Sequence, residues 1–183
     1  SKQIALITGC AGGIGRALVS ALIAKGYVVV ATDLRRDALD EAAREDKWSD
    51  ESVRCVKLDV RNADDWVRVM DETTSAFGLP DVVMNVAGYL KPGYVGRFDV
   101  GDVDAHLDVN TKGLILGTRI AAQRMSDVTG QQFFVENRPG ASTALANTSV
   151  ARSAPDGYTL LAVDISFTVV PYLLTTLSYD PVK

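Results

Sequence analysis

Three glycines near the start of the chain have a spacing that suits the binding of a phosphate group. Gly9, Gly13 and Gly15 lie in the segment TGCAGGIG, between an apolar run that ends at Thr8 and a stretch with helical spacing from Ile14. In such a strand–turn–helix unit the first glycine permits a sharp turn, the second lets the backbone approach a pyrophosphate, and the third allows close packing of helix on strand. The free N–H groups at the helix start favour an anion. The motif predicts a dinucleotide site, the alternative being a tight turn without a ligand.

An acidic residue follows at the distance that this kind of site requires. Asp33 ends the second apolar run, eighteen residues after Gly15, and dinucleotide-binding units place an acid about 20 residues on to accept hydrogen bonds from the ribose hydroxyls. A carboxylate there repels a 2′-phosphate, which favours NAD over NADP. Arg35 and Arg36 argue in the other direction, because a nearby arginine accommodates that phosphate. The alternative role for Asp33 is that of a helix cap or turn residue.

Apolar runs alternate with helical patterns along the chain, which predicts an α/β fold. We expect a doubly wound parallel sheet of Rossmann type, with three αβα layers and about six strands in the order 3-2-1-4-5-6. The predicted strands are 4–8, 27–33, 53–58, 81–85, 132–136 and 158–163. The predicted helices are 14–25, 36–44, 63–77 (with Asn62 as its N-cap), 103–125 and 143–153. A turn is predicted at 155–157, and the pattern of 165–183 assigns no element.

Further motifs in the first two thirds of the chain carry a family resemblance. The segments LDV at 58–60, NVAG at 85–88 and VNTKG at 109–113 follow the glycine motif in order. With them, residues 1 to about 125 resemble the short-chain dehydrogenase/reductase family. The resemblance implies an NAD(H)-dependent oxidoreductase acting on a small alcohol or carbonyl compound, and it leaves a homo-oligomer open.

The resemblance also implies roles for individual residues. Asp59 and Val60 would contact the adenine, and residues 85–88 would line the cofactor and brace the first turn through Thr8. Asn110 would be the asparagine at the family's helix kink, a member of its catalytic tetrad. Without the resemblance, Asp59 is a strand-end cap and Asn110 a polar residue within a helix. The full predicted cofactor set is Gly9, Cys10, Gly12, Gly13, Ile14, Gly15, Asp33, Leu34, Asp59, Val60, Asn85, Ala87 and Gly88.

The rest of the family's catalytic set has no counterpart at the expected places. The family needs a serine on the fifth strand and Tyr-x-x-x-Lys on the next helix, but 133–138 contains no serine and 143–153 neither tyrosine nor lysine. Ser142 is better explained as a helix N-cap. Tyr179 and Lys183 have the right spacing, but Pro181 between them opposes a helix. The remaining substitutes are Tyr89, Lys91 and Tyr94, which are more simply ordinary loop residues.

The last third of the chain resembles a different family. The segments TGQ at 129–131, VENRPGA at 135–141, APDGYTLL at 154–161 and YDPVK at 179–183 are similar to Bug-type substrate-binding proteins of tripartite tricarboxylate transporters. That family's usual Gly-Gly-Asn is replaced by STA at 142–144, and its second lobe has no counterpart. The chain is therefore interpreted as chimera-like: residues 1–125 bind the cofactor and 126–183 add a β-α-β piece that completes the sheet of a single domain, 1–183.

Composition narrows the function further. The formal net charge is −4, and no basic patch points to nucleic acid. No apolar run reaches membrane-spanning length, and Cys10 and Cys55 lack metal-ligand spacing. With no signal peptide ahead of the first strand, we expect a cytoplasmic protein that binds neither membrane nor metal. Three functions stay open: an NAD(H)-dependent oxidoreductase with little or no turnover, an inactive nucleotide-binding module, and a binder of small carboxylates through the C-terminal segment.

Overall fold

Four parallel strands form the central sheet in the part of the chain that the structure describes. A computed structural model describes residues 2–136 and 144–161 of the 183-residue chain. The strands are β1 (Ile4–Thr8), β2 (Val28–Asp33), β3 (Val53–Lys57) and β4 (Val82–Met84). Every residue of β1 is buried, as are the four central residues of β2. These runs lack an alternating pattern because both of their faces are covered, as in other parallel sheets.

The strand order is β3-β2-β1-β4, with every pair parallel. Leu6 of β1 is in register with Val30 of β2 on one side and with Val83 of β4 on the other. The order reverses direction between β1 and β4, which opens a crevice at the carboxyl ends of these two strands. The predicted order is confirmed for its first four strands.

Helices connect and flank the strands. They are α1 (Gly13–Ala24), α2 (Arg36–Glu45), α3 (Ala63–Phe77), α4 (Val100–Leu107) and α5 (Leu114–Thr129), with a short 3-10 turn at Val95–Arg97. A further helix, α6 (Ala144–Ala151), lies in the last part of the chain. Asn62 caps α3 as predicted, its side-chain oxygen accepting from the amides of Asp64 and Asp65. The bounds of α1, α2 and α3 differ from those predicted by at most one residue.

Apolar clusters lie on both faces of the sheet. On one face Val19 and Leu22 of α1 and Leu39 of α2 pack with β1 and β2. On the other face Trp66 and Val69 of α3 pack with Leu6 and Val30, and Leu116 and Ile120 of α5 join them. Helices on both faces of a parallel sheet confirm the predicted doubly wound α/β fold.

The long helix predicted over 103–125 is one helical stretch with a change of winding in the middle. A π-helical turn at Asp108–Gly113 joins α4 to α5. The helical stretch begins at Val100, where Asp99 and Asp102 form a reciprocal capping box, and ends at Gly130 with a left-handed φ of 68°. Short π-helical turns inside α-helices are frequent at functional sites.

The fifth and sixth strands are not found where the sequence predicts them. Residues 132–136 form no strand: Phe133 donates its amide to Ser126 Oγ at 2.9 Å, a side chain of the preceding helix. Phe134 is 82% exposed, and Tyr158 is 83% exposed in a stretch, 158–161, that also forms no strand. Both prediction errors have the same cause. A short apolar run in a sequence indicates a buried strand, but Phe134 and Tyr158 are exposed. Residues 162–163 lie outside the described part.

The chain divides into two compact units, 1–134 and 135–183. In the second unit the described residues are α6 and its flanks, and the predicted turn at 155–157 is present. Tyr158 N donates to Asp156 Oδ1 at 2.9 Å, and Gly157 has a φ of +81°. Ser142, predicted as a helix N-cap, and the Tyr179–Lys183 pair lie outside the described residues, and the single domain stays a prediction. None of the helices in the described ranges is both long and apolar enough to cross a membrane.

Candidate functional site

The glycine-rich turn between β1 and α1 is tight at two positions and open at a third. A Cβ on Gly15 would lie 2.3 Å from Gly9 O, and one on Gly9, whose φ is +73°, would lie 2.8 Å from Ala87 Cα. A Cβ on Gly13, the first residue of α1, would meet nothing within 4 Å. Gly15 therefore lets α1 pack on the turn, Gly9 lets the turn pack on Val86 and Ala87, and free space remains at Gly13, where the sequence predicts the pyrophosphate.

Thr8 joins this turn to the strip that follows β4. Its Oγ1 accepts hydrogen bonds from the backbone amides of Val86 and Ala87, each at 3.0 Å. Thr8 itself is buried. The strip 85–88 is thereby held beside the glycine turn, the contact that the family resemblance implied.

Asp33 reaches the glycine turn from the end of β2. Its Oδ2 accepts from Ala11 N at 3.0 Å and its Oδ1 accepts from Arg35 N at 3.0 Å. A carboxylate has about four acceptor positions, so these two bonds leave room for ribose hydroxyls. The turn role considered from the sequence is thus observed, and the ribose role stays a prediction. Next to it, Leu34 is 47% exposed.

Asp59 and Arg61 form an ion pair at the end of β3. Arg61 donates from Nε and Nη2 to Asp59 at 2.8 and 2.7 Å, and these bonds hold the pKa of Asp59 below its ordinary value. Val60 O accepts from Trp66 Nε1 at 3.0 Å. An open groove of about 500 Å³ lies alongside, lined by Asp59, Arg61, Asn62, Ala63, Asp108, Lys112 and Leu116. Of the two predicted adenine contacts, Asp59 therefore lines a groove of mixed charge, and Val60 precedes its next lining residue in the chain.

Asn85 lies where α5 comes closest to the end of β4. A Cβ on Gly117 of α5 would lie 2.5 Å from Asn85 Oδ1 and 2.6 Å from Trp66 Cζ2. Asn85 Oδ1 is buried and has no hydrogen-bond partner among the residues that the structure describes, and such groups are rare in native proteins. Gly117 is therefore the residue that lets α5 reach the carboxyl edge of the sheet.

Asn110 holds the backbone that follows the strip. It lies in the π-helical turn, its Oδ1 accepts from Tyr89 N at 2.8 Å, and its Nδ2 donates to Tyr89 O at 2.8 Å. Gly88 is adjacent, since a Cβ there would lie 3.6 Å from Asn110 Oδ1. Asn110 thus sits at a change of helical winding, and its side chain acts on the loop. Its predicted catalytic role stays a prediction.

Sequence reasoning missed a polar cluster on the same loop. Lys91 Nζ contacts both carboxylate oxygens of Asp102 at 2.6 and 2.8 Å, and His106 Nε2 accepts from Lys91 N at 3.2 Å. The sequence indicated Tyr89 and Lys91 as possible catalytic substitutes or, more simply, as ordinary loop residues, and not as members of this cluster. The signal that would have found the cluster is the Asp-x-x-x-His spacing of Asp102 and His106, which places both on one face of α4.

The two cysteines are free thiols with raised pKa values. Cys10 is fully buried beneath the glycine turn, its Sγ donates to Ile7 O at 3.2 Å, and burial raises its pKa to about 12. Burial also raises the pKa of Cys55. The side chain of Cys10 faces the core. Its contact with the cofactor stays a prediction. Ile14, by contrast, is 62% exposed at the start of α1, beside the open space at Gly13.

Taken together, the parallel sheet, the glycine turn and the acid at the end of β2 define a dinucleotide-binding Rossmann unit. Comparison with known proteins specifies it further. Residues 3–133 match the short chain dehydrogenase family, and the chain belongs to that family. Residues 118–183 match the tripartite tricarboxylate transporter family receptor, so the two matches overlap over 118–133.

Curated relatives cover the same part of the chain. An uncharacterized oxidoreductase of Staphylococcus aureus is 31% identical over 125 residues, which are 68% of this chain and 53% of that protein. The 3-oxoacyl-[acyl-carrier-protein] reductase FabG of Thermotoga maritima is 30% identical over 123 residues, 67% of this chain and 50% of that protein. The chain thus spans about half the length of the curated relatives it matches.

Solved structures agree with the observed fold. A putative short-chain dehydrogenase from Novosphingobium aromaticivorans is 27% identical with a TM-score of 0.64, covering 81% of this chain and 61% of that one. A short-chain dehydrogenase/reductase from Burkholderia phymatum, solved in complex with NAD, is 27% identical with a TM-score of 0.62, covering 67% and 44%. The Rossmann-like fold of this family is therefore shown for the N-terminal unit.

Proposed function

We propose that the protein binds NAD(H) in the crevice at the carboxyl ends of β1 and β4. The observation that carries the proposal is the contrast within the glycine turn: Gly9 and Gly15 are closely packed, whereas the space beside Gly13 is open. The free N–H groups at the start of α1 would favour an anion bound in this space, and Asp33 and the strip 85–88 lie next to the glycine turn. When bound, the nicotinamide of this cofactor supplies or accepts a hydride.

The test is a calorimetric titration with NADH. Gly13→Val places a branched side chain in the open space, and we expect it to abolish NADH binding while the protein stays folded. Ala21→Val, on an exposed position of the same helix, is the matched control and should bind as the wild type does. Equal NADH affinity of wild type and Gly13→Val would refute this location of the site.

We further propose that NAD(H) is preferred over NADP(H). The Asp33 carboxylate opposes a 2′-phosphate, and the nearby Arg36 is paired with Asp40 at 2.8 Å. We expect NADH to bind better than NADPH, and Asp33→Asn to narrow the difference, because the amide removes the negative charge but keeps an acceptor for the Ala11 amide. A wild type that binds NADPH as tightly as NADH would contradict this preference.

Family membership supports our proposal that the reaction is hydride transfer to or from a small carbonyl or alcohol compound, in the cytoplasm. Because the serine and the Tyr-x-x-x-Lys pair have no counterpart at the expected places, we expect low or no turnover. The competing function is an inactive, chimera-like nucleotide-binding module. The match of 118–183 to a transporter receptor supports a weaker candidate, the binding of a small carboxylate. Titration with citrate and succinate separates this candidate from the others, because NADH binding without carboxylate binding would eliminate it.

A further inference from the structure

The loop that follows the strip 85–88 is fastened by side chains of the helix behind it. The Asn110 side chain is hydrogen-bonded to both the backbone N–H and the backbone C=O of Tyr89. Two residues further along the loop, the backbone N–H of Lys91 donates to His106 Nε2 at 3.2 Å. Since Thr8 holds Val86 and Ala87 from the other side, the backbone from 86 to 91 is fixed from the glycine turn on one side and from the helix on the other.

The partners of His106 dictate which of its nitrogens carries the proton. Nδ1 lies 2.7 Å from the backbone oxygen of Asp102, which only accepts hydrogen bonds, so Nδ1 must donate. Nε2 receives the backbone N–H of Lys91, so it must be without a proton. The geometry therefore requires a neutral imidazole in the Nδ1–H form, because an imidazolium carries N–H groups on both nitrogens.

Packing fixes the ring in this orientation. The Tyr89 ring meets the imidazole edge-on at a centroid distance of 4.9 Å, and the Phe98 ring stacks at 5.8 Å with an interplanar angle of 16°. These contacts hold the plane of the ring, and a 180° flip within that plane would put carbon atoms where Nδ1 and Nε2 now lie and break both hydrogen bonds.

The charges around the ring are already paired. Asp102, with a side chain only 10% exposed, is held by Lys91 Nζ and by the amide of Asp99. The titratable and charged groups near the ring are thus Asp99 and Asp102 on the helix side and Tyr89 and Lys91 on the loop side. The Asp102 carboxylate is already bonded to the Lys91 ammonium, and its interaction with the side chain of His106 is Coulombic.

We propose that His106 is a positioning residue of the cofactor site, a latch that holds the Lys91 amide only while its imidazole is neutral. A second proton, taken from solvent on to Nε2, replaces an acceptor by a donor and breaks the bond to Lys91 N. The segment 89–91 is then held only by Asn110 and by the Lys91–Asp102 ion pair. This inference rests on the proposed NAD(H) site for its effect on binding, but not for the latch itself.

The latch is tested directly by NMR on the full chain. The chain contains a single histidine, so long-range ¹H–¹⁵N spectra report its tautomer and protonation without overlap. At neutral pH we expect the Nδ1–H form and a Lys91 amide that exchanges about tenfold more slowly than in His106→Leu, the effect of one net hydrogen bond. On acidification the protection of this amide should be lost in step with imidazole protonation.

Two variants and a control extend the test to NADH affinity. His106→Leu should bind NADH severalfold more weakly than the wild type at neutral pH. Its NADH affinity should also lack the pH dependence that we expect for the wild type. His106→Gln, which keeps an uncharged acceptor, should retain affinity on acidification, and Asp104→Gln, an exposed change on the same helix, should behave as the wild type. Melting curves confirm that each variant is folded.

Several results would overturn the proposal. They are an Nε2–H tautomer at neutral pH, equal Lys91 exchange in wild type and His106→Leu, or equal NADH affinity of these two proteins across the pH range. A wild type that shows the Nδ1–H form and a protected Lys91 amide but does not bind NADH would support the latch and refute the NAD(H) proposal. The His106 latch and the NAD(H) site can therefore be refuted independently of each other.

Discussion

Gly13 and Gly15 of the glycine turn have different structural roles, and alanine substitutions should distinguish these roles by their effect on stability. A Cβ on Gly15 would meet Gly9 O at 2.3 Å and Cys10 Cα at 2.7 Å, both backbone atoms that cannot rotate away. We expect Gly15→Ala to lower the free energy of unfolding by about 3 kcal/mol or more. Gly13→Ala has no neighbour to clash with and should leave stability nearly unchanged. Urea unfolding of both variants is the measurement, and equal loss in the two would contradict this account.

The buried thiol under the turn gives a prediction about pH. Burial raises the pKa of Cys10 to about 12, whereas a cysteine in the unfolded chain has a pKa of about 8.5. Between these values the unfolded state loses its proton and the folded state keeps it, so stability is fully present below about pH 8.5 and falls as pH rises. We expect the wild type to lose up to about 1.4 kcal/mol per pH unit more than Cys10→Ala. Urea unfolding at several alkaline pH values tests this, and parallel pH profiles would argue against a buried neutral thiol.

The same thiol should be chemically inert in the folded protein. Cys10 is fully buried, while Cys55 is only partly so. Because the thiolate is the reactive form and requires access, iodoacetamide should label Cys55 first and Cys10 only after unfolding. Mass spectrometry of the labelled peptides gives the order directly, and early labelling of Cys10 would mean that the turn opens.

At the scale of elements, the position of α5 depends on the absence of a side chain at Gly117. A Cβ on Gly117 would press on Asn85 Oδ1 at 2.5 Å and on the Trp66 ring at 2.6 Å. We expect Gly117→Ala to destabilise the protein by about 1–3 kcal/mol, although alanine is the better helix former. Arg119→Ala, an exposed change in the same helix, should have little effect. The comparison is made by thermal and urea unfolding, and a more stable Gly117→Ala protein would show that α5 is not closely packed there.

Elements were predictable from the sequence where burial and local chemistry agree. The strands β1 to β3 and the helices α1 to α3 follow from apolar runs, glycine stops and the Asn62 cap, which act within a few residues. The segment 132–136 was wrongly predicted as a strand because a strand needs a neighbour. Its apolar residues do not reveal that Phe133 gives its amide to the Ser126 side chain.

At the scale of the whole molecule, we expect a cofactor site combined with an incomplete catalytic set. No tyrosine is present in 143–153, and no lysine lies between Lys112 and Lys183. General acid–base catalysis contributes about 10²–10⁴-fold and needs a group within hydrogen-bond reach of the reacting oxygen. We therefore expect NADH to bind but to be oxidised slowly or not at all by ketones, aldehydes and quinones in a steady-state assay.

Variants at the tyrosines distinguish the possible exceptions. Rapid turnover that is lost on Tyr179→Phe would make the C-terminal Tyr179–Lys183 pair catalytic. Rapid turnover that survives this change but is lost on Tyr89→Phe or Tyr94→Phe would assign the proton transfer to the loop after β4. Either result would contradict the expectation of an inactive site.

The sequence by itself determined the doubly wound class, the order of the first four strands and the dinucleotide motif, because periodicity, glycine spacing and caps are local properties. Only the tertiary structure decided how residues far apart meet. It placed Thr8 against 86–87, Gly117 against Asn85, and His106 against Lys91. Such contacts depend on which backbone donors and acceptors remain unpaired after the sheet and helices have formed, and sequence spacing does not carry that information.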